Sequence, residues 1–463
     1  MNETAADAPV ITPAISELSE YIAEARRRPL PEEVQEKTKH HLLDTLAAMV
    51  SGSKLLPGRK AIAYARSRGG VEEASVVGTR LVTTAEGAAM ANGMLAHADE
   101  TDDSHAASQT HPGCGIVAAA LAMGERERRD GNALLRAVAL GYDVGTRVTM
   151  SLDAFAFREE GHSTHSFGPT FGAAAAAGSL ARVDAERARF VLSYAGQQAS
   201  GVGAWIGDRE HVEKAFDFGG MPARNGTTAA MFVRMGFSAT DDLFAGPRNF
   251  FQAYSHAGRE PHPAELVRGL GATYEVMNTN IKRWSVGSPI QAPLDSLLIL
   301  IREHGVTADD VERVVVRVAP SSATTTDNRL MPDICMQHMC AVMLLDGIVT
   351  FESAHDEARM HDPRTLDVRR RVELVGDEEL QRVFPSRQGI VELTLRDGRT
   401  LRHHTRAVRG TDENPMARAE VDEKCDHLMA PVLGKRRSRR LCDAVWAIED
   451  LRDVRDLRPL LQP

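Results

Sequence analysis

The chain has few cysteines, and none of them stands in a pattern that indicates a disulfide framework or a zinc ribbon. They are odd in number and include no Cys-x-x-Cys pair: Cys114, Cys335, Cys340, Cys425 and Cys442. Zinc ribbons and disulfide-rich secreted domains both need regularly spaced cysteine pairs. We therefore expect reduced thiols and a cytoplasmic protein.

Long apolar runs and an excess of positive charge are missing as well, and we expect no secretory signal. No stretch approaches the roughly 18 consecutive apolar residues of a membrane-spanning helix. The opening segment MNETAADAPVITPAISEL lacks the basic and apolar regions of a secretory signal. The formal net charge of -9 argues against nucleic acid or an anionic membrane as a partner. A cationic pocket of local extent is compatible with this charge.

The composition is that of a globular protein, with 43% hydrophobic and 26% charged residues. At 463 residues the chain is too long for one ordinary core. This length predicts two domains, or one large domain with an insertion.

The first half of the chain has the patterns of closely packed helices. The segment PEEVQEKTKHHLLDTLAAMVSG (31–52) opens with proline and acids and stops at glycine, which predicts an amphipathic helix. Later segments repeat the apolar spacing with many small residues: AEGAAMANGMLAHA, GIVAAALAMGERE, GNALLRAVALGYDVG and TFGAAAAAGSLARV. Because small residues let helix axes approach closely, we attribute these runs to core packing rather than to a cofactor site.

The pattern changes after residue 270. VERVVVRVAP is a β-branched run, and GIVELTLRDGRTLRHHT alternates around Asp397 and Gly398, which predicts a hairpin. Helical spacing returns after RGTDENP. The predicted fold is mainly α, with a large helical domain formed by residues 1–269 and 408–463 and a smaller α+β domain inserted at 270–407. A cleft between two such domains is the default place for a ligand.

The stretch HADETDDSHAASQTHPG (97–113) concentrates acids and histidines and has three interpretations. As a metal site it offers oxygen and nitrogen ligands, but its spacing matches neither an EF-hand loop nor an HExxH helix. As an acid/base site it places His111 just before Pro112, where a helix is predicted to begin and to attract an anion. As a solvated loop it has no chemical role. The acid/base interpretation is favoured because further candidate groups occur elsewhere in the chain.

Those further groups are histidines and a lysine near glycines. His162 and His165 precede the glycine-rich entry into an alanine helix, in REEGHSTHSFGPTFG. Lys214 precedes two glycines in EHVEKAFDFGGMPARNG. A single lysine is usually a surface charge and a single histidine usually a structural hydrogen-bonding group, so each signal is weak alone.

Five stretches, in this order, resemble the MmgE/PrpD family: LPEEVQEKTKHHLLDTLAAMVSG, AAMANGMLAHADETDDSHAASQTHPG, EKAFDFGGMPARNG, KRWSVGSPIQAPLD and DENPMARAEVDEKCDHLMAPVLG. The resemblance covers nearly the whole chain. It implies a helical domain built from both chain ends, an inserted α+β lid domain and a homodimer. It further implies an active site between the domains that uses neither a metal nor an organic cofactor.

The resemblance also assigns residues. The family's acid, threonine and histidine of the second stretch fall on Glu100, Ser104 and His111. A further family histidine falls on either His162 or His165, and the spacing alone leaves both open.

The family's two lysines fall on Lys214 and Lys282, with Asp295 following the second. Two positions depart from the family pattern: Gln291 replaces a histidine and His338 replaces a tyrosine. These departures put the substrate in doubt. The residues expected to bind substrate are His338, Gln291, Asp103 and Arg283.

The function implied by the resemblance is a cofactor-free lyase that dehydrates or decarboxylates a small di- or tricarboxylic acid. His111 and His162 or His165 would move protons while Lys214 and Lys282 hold carboxylates. Glu100 and Ser104 would orient a histidine or hold a substrate hydroxyl. The alternatives are an epimerase or isomerase that removes and returns a proton, and a carboxylate-binding protein without turnover.

Overall fold

The computed structural model describes residues 11–255 and 260–463, so residues 1–10 of the predicted helical domain lie outside the described residues. The chain divides into two compact units. The first comprises residues within 1–98, 107–277 and 429–463, and the second comprises residues 99–106 and 278–428. The prediction of a mainly α fold is confirmed.

The first unit is helical apart from one two-stranded pairing. Its elements up to residue 277 are α1 (Pro13–Glu24), α2 (Glu32–Gly52), α3 (Leu56–Arg68), β1 (Ala74–Ser75), β2 (Val82–Thr83), α4 (Ala85–Ala96), α5 (Pro112–Arg126), α6 (Gly131–Ser151), α7 (Ala154–Glu159), α8 (Thr164–Leu180), α9 (Ala185–Gln198), α10 (Val212–Ala215), α11 (Met221–Arg234) and α12 (Phe250–Tyr254).

The second unit carries the remaining strands. Its elements are β3 (Ser104–His105), β4 (Thr279–Asn280), α13 (Ser288–His304), β5 (Val311–Val318), α14 (Pro320–Thr326), α15 (Met336–Asp346), α16 (Phe351–Ala354), α17 (Pro363–Arg369), β6 (Val372–Gly376), α18 (Glu378–Arg382), β7 (Gly389–Leu395) and β8 (Thr400–Thr405). Two helices follow near the end of the chain, α19 (Arg418–Leu433) and α20 (Lys435–Trp446).

Glycines bring α6 and α8 into close contact in the first unit. A Cβ atom added to Gly172 would lie 2.5 Å from the carbonyl oxygen of Gly141, and one added to Gly145 would lie 2.9 Å from the carbonyl oxygen of Gly168. Real Cβ atoms do not approach backbone oxygen this closely, so glycine is required at this crossing. The small residues noted in the sequence therefore serve packing.

A second close approach shapes the segment between α10 and α11. Residues Phe216–Gly220 form a single π-helical turn, which widens the helix locally. A Cβ atom on Gly219 would lie 2.0 Å from the carbonyl oxygen of Gly93 in α4. This contact fixes the turn that carries Asp217 and Phe218, directly after Lys214.

A buried polar network connects α1 with α6 and with Glu275. The Arg147 guanidinium lies 3.3 Å from the carboxylates of both Asp143 and Glu275. The Tyr21 hydroxyl donates to Asp143 at 2.6 Å. Burial removes water from the Arg147 cation, and the two carboxylates and the added hydrogen bonds compensate for that loss.

A four-stranded sheet in the order β6-β5-β7-β8 forms the centre of the second unit. β5 pairs in parallel with β6 and antiparallel with β7, and β7 and β8 form the hairpin predicted around Asp397 and Gly398. Gly398 has a φ of +88°, the left-handed backbone conformation that such a turn needs. Apolar residues of α13 and α15 share one core with the inward faces of β5 and β7.

The observed units differ from the predicted domains at three places. The boundaries between the units lie at 277/278 and 428/429 rather than at 270 and 408. In addition, residues 99–106 belong to the second unit. The reason for the last difference is a strand pairing, since Ser104 and His105 of β3 pair with Asn280 and Thr279 of β4. Local sequence patterns do not reveal a pairing between segments so far apart in the chain.

None of the helices in the described part of the chain is long and apolar enough to span a membrane.

Candidate active site

Three histidine rings gather around one phenylalanine in the first unit, and a fourth histidine lies beside one of the three. The Phe218 ring stacks on His165 with centroids 3.8 Å apart and on His97 at 4.2 Å. The His111 centroid lies 5.2 Å from that of His165 and 5.0 Å from that of His97. The His211 centroid lies 5.1 Å from that of His97. Imidazoles in this arrangement can pass protons among themselves or to a bound acid.

Each of these histidines lies at or near the end of a helix. His111 is the residue immediately before α5, with Pro112 as the first helical residue, as the sequence predicts. His165 lies in the first turn of α8, and Ser163 is the residue immediately before that helix. Helix N-termini present unpaired backbone N–H groups and partial positive charge, so two of these rings lie where an anion is favoured.

His165 is held in its neutral form, which is the form that can accept a proton. Burial, followed by the neighbouring charge of His111, lowers the pKa of His165 well below its usual range. Its Nδ1 atom has no hydrogen-bond partner among the described residues. A buried imidazole that is neutral at neutral pH, with an unpaired ring nitrogen, can act as a base.

Lys214 provides a cation beside this ring. Its Nζ atom lies 5.1 Å from the Phe218 ring centroid and 5.4 Å from that of Trp205. The edge of the Trp205 ring meets His165, with centroids 5.5 Å apart. An ammonium next to aromatic faces is attracted by their electron density and partly shielded from water, which strengthens its interaction with a carboxylate.

His162 lies in different surroundings. Its ring stacks on Phe157 with centroids 4.2 Å apart and meets the edges of Phe167 and Tyr254. Of the two histidines left open by the sequence, the structure places His165, and not His162, against His111.

The acidic stretch is held by lysines within the second unit. Lys282, which is 3% exposed, donates through Nζ to the carbonyl oxygen of Glu100 at 2.7 Å. The same atom lies 3.5 Å from the Glu100 carboxylate and 3.7 Å from that of Asp102. Lys424 donates to the carbonyl oxygen of Thr101 at 3.0 Å. The ammonium of Lys282 is therefore engaged by two acids of its own unit.

A histidine holds the beginning of the same stretch. His355 Nε2 lies 3.1 Å from Asp99 Oδ2, and Nδ1 donates to the carbonyl oxygen of Phe351 at 2.7 Å. Asp99 also accepts hydrogen bonds from the backbone N–H and hydroxyl of Thr101. Since both ring nitrogens of His355 face acceptors, this geometry favours the doubly protonated imidazolium.

The other two residues of the stretch that the sequence singled out are also in this unit. Ser104 is half-buried and pairs with Asn280 through the backbone. Asp103 is completely buried.

Gln291 of α13 and Arg283, both predicted to bind substrate, contact the loop that follows Lys282. The Gln291 amide accepts from the backbone N–H of Trp284 and donates to the carbonyl oxygens of Trp284 and Val286. The Arg283 guanidinium lies over the Trp284 ring and 3.7 Å from Asp295. Asp295 accepts from the Trp284 indole at 3.0 Å. The side-chain amide of Gln291 is therefore hydrogen-bonded to the protein backbone through both its oxygen and its nitrogen.

His338 lies in the second unit and is fully buried on α15. Both of its ring nitrogens lack a hydrogen-bond partner within the described parts of the chain. Burial, followed by the charge of Arg369, lowers the pKa of His338 to about 4, so the ring is neutral at neutral pH. A buried polar ring without partners is costly unless a ligand or water satisfies it, which is consistent with a binding role.

Sequence reasoning missed several members of these clusters. His97 was visible in the acidic stretch but carried no separate signal of a role. His211, Trp205 and Phe218 flank Lys214 in sequence, and only their neighbourhood to that lysine could have indicated them. His355 stands in a segment without any motif, so its contact with Asp99 could be found only in three dimensions.

A metal ion would find nitrogen donors in the first unit. His97 and His211 offer two adjacent imidazoles.

Comparisons with known proteins extend over almost the entire chain. The MmgE/PrpD N-terminal domain matches residues 16–262, and the MmgE/PrpD C-terminal domain matches residues 284–450. The chain is 23% identical to the Cis-aconitate decarboxylase-like protein oryM of Aspergillus oryzae, with 96% of each chain covered. It is 22% identical to a Cis-aconitate decarboxylase of Aspergillus terreus, with 100% of this chain and 98% of the relative covered.

Proposed function

The chain belongs to the MmgE/PrpD family and is a lyase of that type; from this premise we propose that it dehydrates or decarboxylates a small di- or tricarboxylic acid. We further propose that it needs neither a metal nor an organic cofactor. The observation that carries the proposal is the position of Lys214 and the paired rings of His111 and His165 around Phe218.

Lys214 has the chemistry that either reaction needs. Removal of water or CO2 passes through negative charge on a carboxylate or on its adjacent carbon. A fixed ammonium lowers the energy of that charge most strongly where water is scarce, as beside the rings of Phe218 and Trp205.

The histidines supply proton transfer. In a dehydration, neutral His165 takes the proton from the carbon next to a carboxylate, and a protonated His111 gives its proton to the leaving hydroxyl, which departs as water. In a decarboxylation, the C–C bond breaks, CO2 leaves, and a protonated histidine returns a proton to the carbon. His162 has no part in either step, because its ring lies against Phe157 and Tyr254.

The acidic stretch contributes groups for a substrate hydroxyl. We propose that Glu100 and Ser104 hold that hydroxyl, and that Lys282 balances the charges of Glu100 and Asp102. This differs from the expectation that Lys282 holds a substrate carboxylate, because its ammonium is already engaged by those two acids. His338 remains a proposed substrate-binding residue because its ring nitrogens are buried and unpartnered among described residues.

An epimerase or isomerase is the second candidate. Two imidazoles whose centroids lie 5.2 Å apart could remove a proton on one side of a carbon and return one on the other. That reaction would need the same cation but no leaving group.

Proton NMR in D2O tests these proposals directly. Protein treated with a chelator is incubated with citrate-like, aconitate-like and succinate-like acids. Cis-aconitate is tried first, since it appears in the names of both relatives. We expect loss of water or CO2 from one of these acids at a rate unaffected by the chelator.

The other outcomes distinguish the alternatives. Deuterium exchange at one carbon without net product would identify an epimerase. Saturable binding without exchange or product would identify a carboxylate-binding protein. Activity that disappears with the chelator and returns with a divalent metal would contradict the cofactor-free mechanism.

A further inference from the structure

Three side chains of the first unit form a hydrogen-bonded series that ends beside Lys214. The Trp205 indole N–H donates to the Ser163 hydroxyl oxygen at 3.2 Å. The Ser163 hydroxyl in turn donates to the Asp217 carboxylate. Ser163 and Asp217 are buried, at 1% and 7% exposure. An ionised Asp217 can only accept a hydrogen bond, so the Ser163 hydroxyl must donate to it. The Ser163 oxygen is then available to accept from the Trp205 indole N–H.

The Trp205 segment is exposed to solvent and is held by its backbone, since the Gly203 N–H donates to the Gly161 carbonyl oxygen at 2.7 Å and Val202 forms a β-bridge with His162. Trp205 lies in a 3-10 turn, Gly203–Gly207, none of whose residues is buried. Its neighbours Val202 and Ile206 are 62% and 53% exposed. The backbone anchors leave the orientation of the side chain open, and the indole is oriented by its N–H bond and its ring contacts.

Gly201 brings this segment onto the start of α8. It has a φ of +133°, and an added Cβ atom would lie 1.9 Å from the Ser166 hydroxyl oxygen. The Ser163 backbone N–H donates to the Gly201 carbonyl oxygen at 3.1 Å. Only glycine permits this approach, which places Trp205 within reach of Ser163.

The indole forms one side of the proposed site. Its ring meets Phe218 edge-on with centroids 4.7 Å apart and lies beside Lys214 and His165. A displaced indole would remove the aromatic face next to the Lys214 ammonium and expose that cation to water.

We propose that Asp217 is a positioning residue that fixes the Trp205 indole through Ser163 and thereby sets the environment of Lys214 and His165. The part of this inference that concerns catalysis rests on the proposed function. The hydrogen-bonded series itself does not.

The protonation of Asp217 affects the series in the neutral pH range. Burial raises the pKa of Asp217 to about 7, hydrogen bonds from Ser163 and Ser166 oppose that rise, and the nearby charge of Glu213 adds to it. An ionised carboxylate accepts more strongly than a neutral acid. The series is therefore strongest above pH 7 and weakens as the pH falls below that value.

Indole NMR tests the series without any substrate. The protein contains three tryptophans, so 15N-tryptophan labelling gives three indole N–H signals, and Trp205→Phe identifies the one in question. We expect this signal to titrate with a midpoint of about 7 in the wild type and to lose that titration in both Asp217→Asn and Ser163→Ala. A signal that is independent of pH, or that titrates unchanged in Ser163→Ala, would overturn the proposal.

Kinetics tests the consequence for the site. Ser163→Ala and Trp205→Phe should each lower kcat/KM by about tenfold, the effect of one lost hydrogen bond, and the double variant should be no worse than either. Trp446→Phe, the same replacement beside His40, serves as the matched control and should leave kcat/KM unchanged. Losses that multiply in the double variant would show two independent effects and contradict the series.

The two experiments fail separately. If none of the acids is turned over, the proposed function is wrong, while the indole titration still decides whether Asp217 fixes Trp205.

Discussion

His162 and His165 are close in sequence but have different neighbours. His165 lies against His111, Phe218 and Trp205, whereas His162 stacks on Phe157. A histidine that transfers protons cannot be replaced by a ring without ionisable nitrogens, while a stacked histidine can.

We predict that His165→Phe lowers kcat by about 100-fold or more, the usual contribution of a general acid or base. His162→Phe, which keeps the stacked ring on Phe157, should retain kcat close to the wild-type value. Steady-state kinetics of both variants with the accepted acid checks this, together with circular dichroism to verify folding. The reverse order of losses would show that His162 is the proton-transfer residue.

His338 offers a second prediction for a single residue. Its two ring nitrogens are buried without partners among described residues, and leaving such groups unsatisfied costs about 1–3 kcal/mol. His338→Leu should therefore leave the free energy of unfolding unchanged or raise it, because it removes those groups at similar volume. If His338 binds substrate, KM should rise about tenfold. An unchanged KM would remove His338 from the proposed site.

At the level of elements, the segment 99–106 is attached to its unit at its start and through β3. His355 pairs with Asp99, Lys282 and Lys424 hold the carbonyl groups of Glu100 and Thr101, and β3 pairs with β4. These attachments keep the proposed hydroxyl-binding groups in one conformation.

The His355–Asp99 pair predicts a specific pH dependence. Burial lowers the pKa of His355, but the adjacent Asp99 carboxylate outweighs it and, with Asp333 and the Phe351 carbonyl, raises the pKa to about 9 from its ordinary 6.5. Because the folded-state pKa is raised, the stabilisation is complete below pH 6.5 and is lost as the pH rises through 9. The shift corresponds to about 3 kcal/mol.

Imidazole NMR of His355 measures this directly. We expect a titration midpoint near 9 in the wild type and a midpoint well below that in Asp99→Asn. Assignment comes from His355→Gln, which loses the signal. A wild-type midpoint near 6.5 would show that the pair does not hold the segment as an ion pair.

The contact between α4 and the π turn gives a prediction about packing. Gly219→Ala would place a Cβ atom 2.0 Å from the Gly93 carbonyl oxygen, so the backbones must separate. We expect a loss of about 1–3 kcal/mol in the free energy of unfolding, as for other overpacked positions. Chemical denaturation checks this, with Gly207→Ala as the control because no atom lies within 4 Å of its added Cβ. Equal stability of the two variants would contradict the close approach.

The sequence was informative where structure is determined locally. Glycine and alanine spacing predicted closely packed helices, as α6 and α8 are, and Asp397-Gly398 predicted the β7–β8 hairpin. His111 precedes α5 as its proline indicated. The pairing of β3 with β4 and the contact of His355 with Asp99 were not predictable, because they join segments distant in the chain that carry no complementary local signal.

At the scale of the whole molecule, the order of family motifs and the family matches agree from the first unit to the second. The residues that the resemblance assigned divide between the units. His111, His165 and Lys214 belong to the first, and Glu100, Ser104 and Lys282 belong to the second. The homodimer implied by the resemblance stays a prediction, which light scattering of the purified protein checks.

The central claim is that Lys214 stabilises the negative charge that develops on a carboxylate substrate, and its removal is the most direct test. The measurement is kcat of Lys214→Met with the accepted acid, compared with Lys60→Met, a replacement of the same kind at an exposed position of α3. We predict a loss of about 100- to 1,000-fold for Lys214→Met with an unchanged circular dichroism spectrum, and full activity for Lys60→Met. A folded Lys214→Met variant with near wild-type kcat would contradict the account.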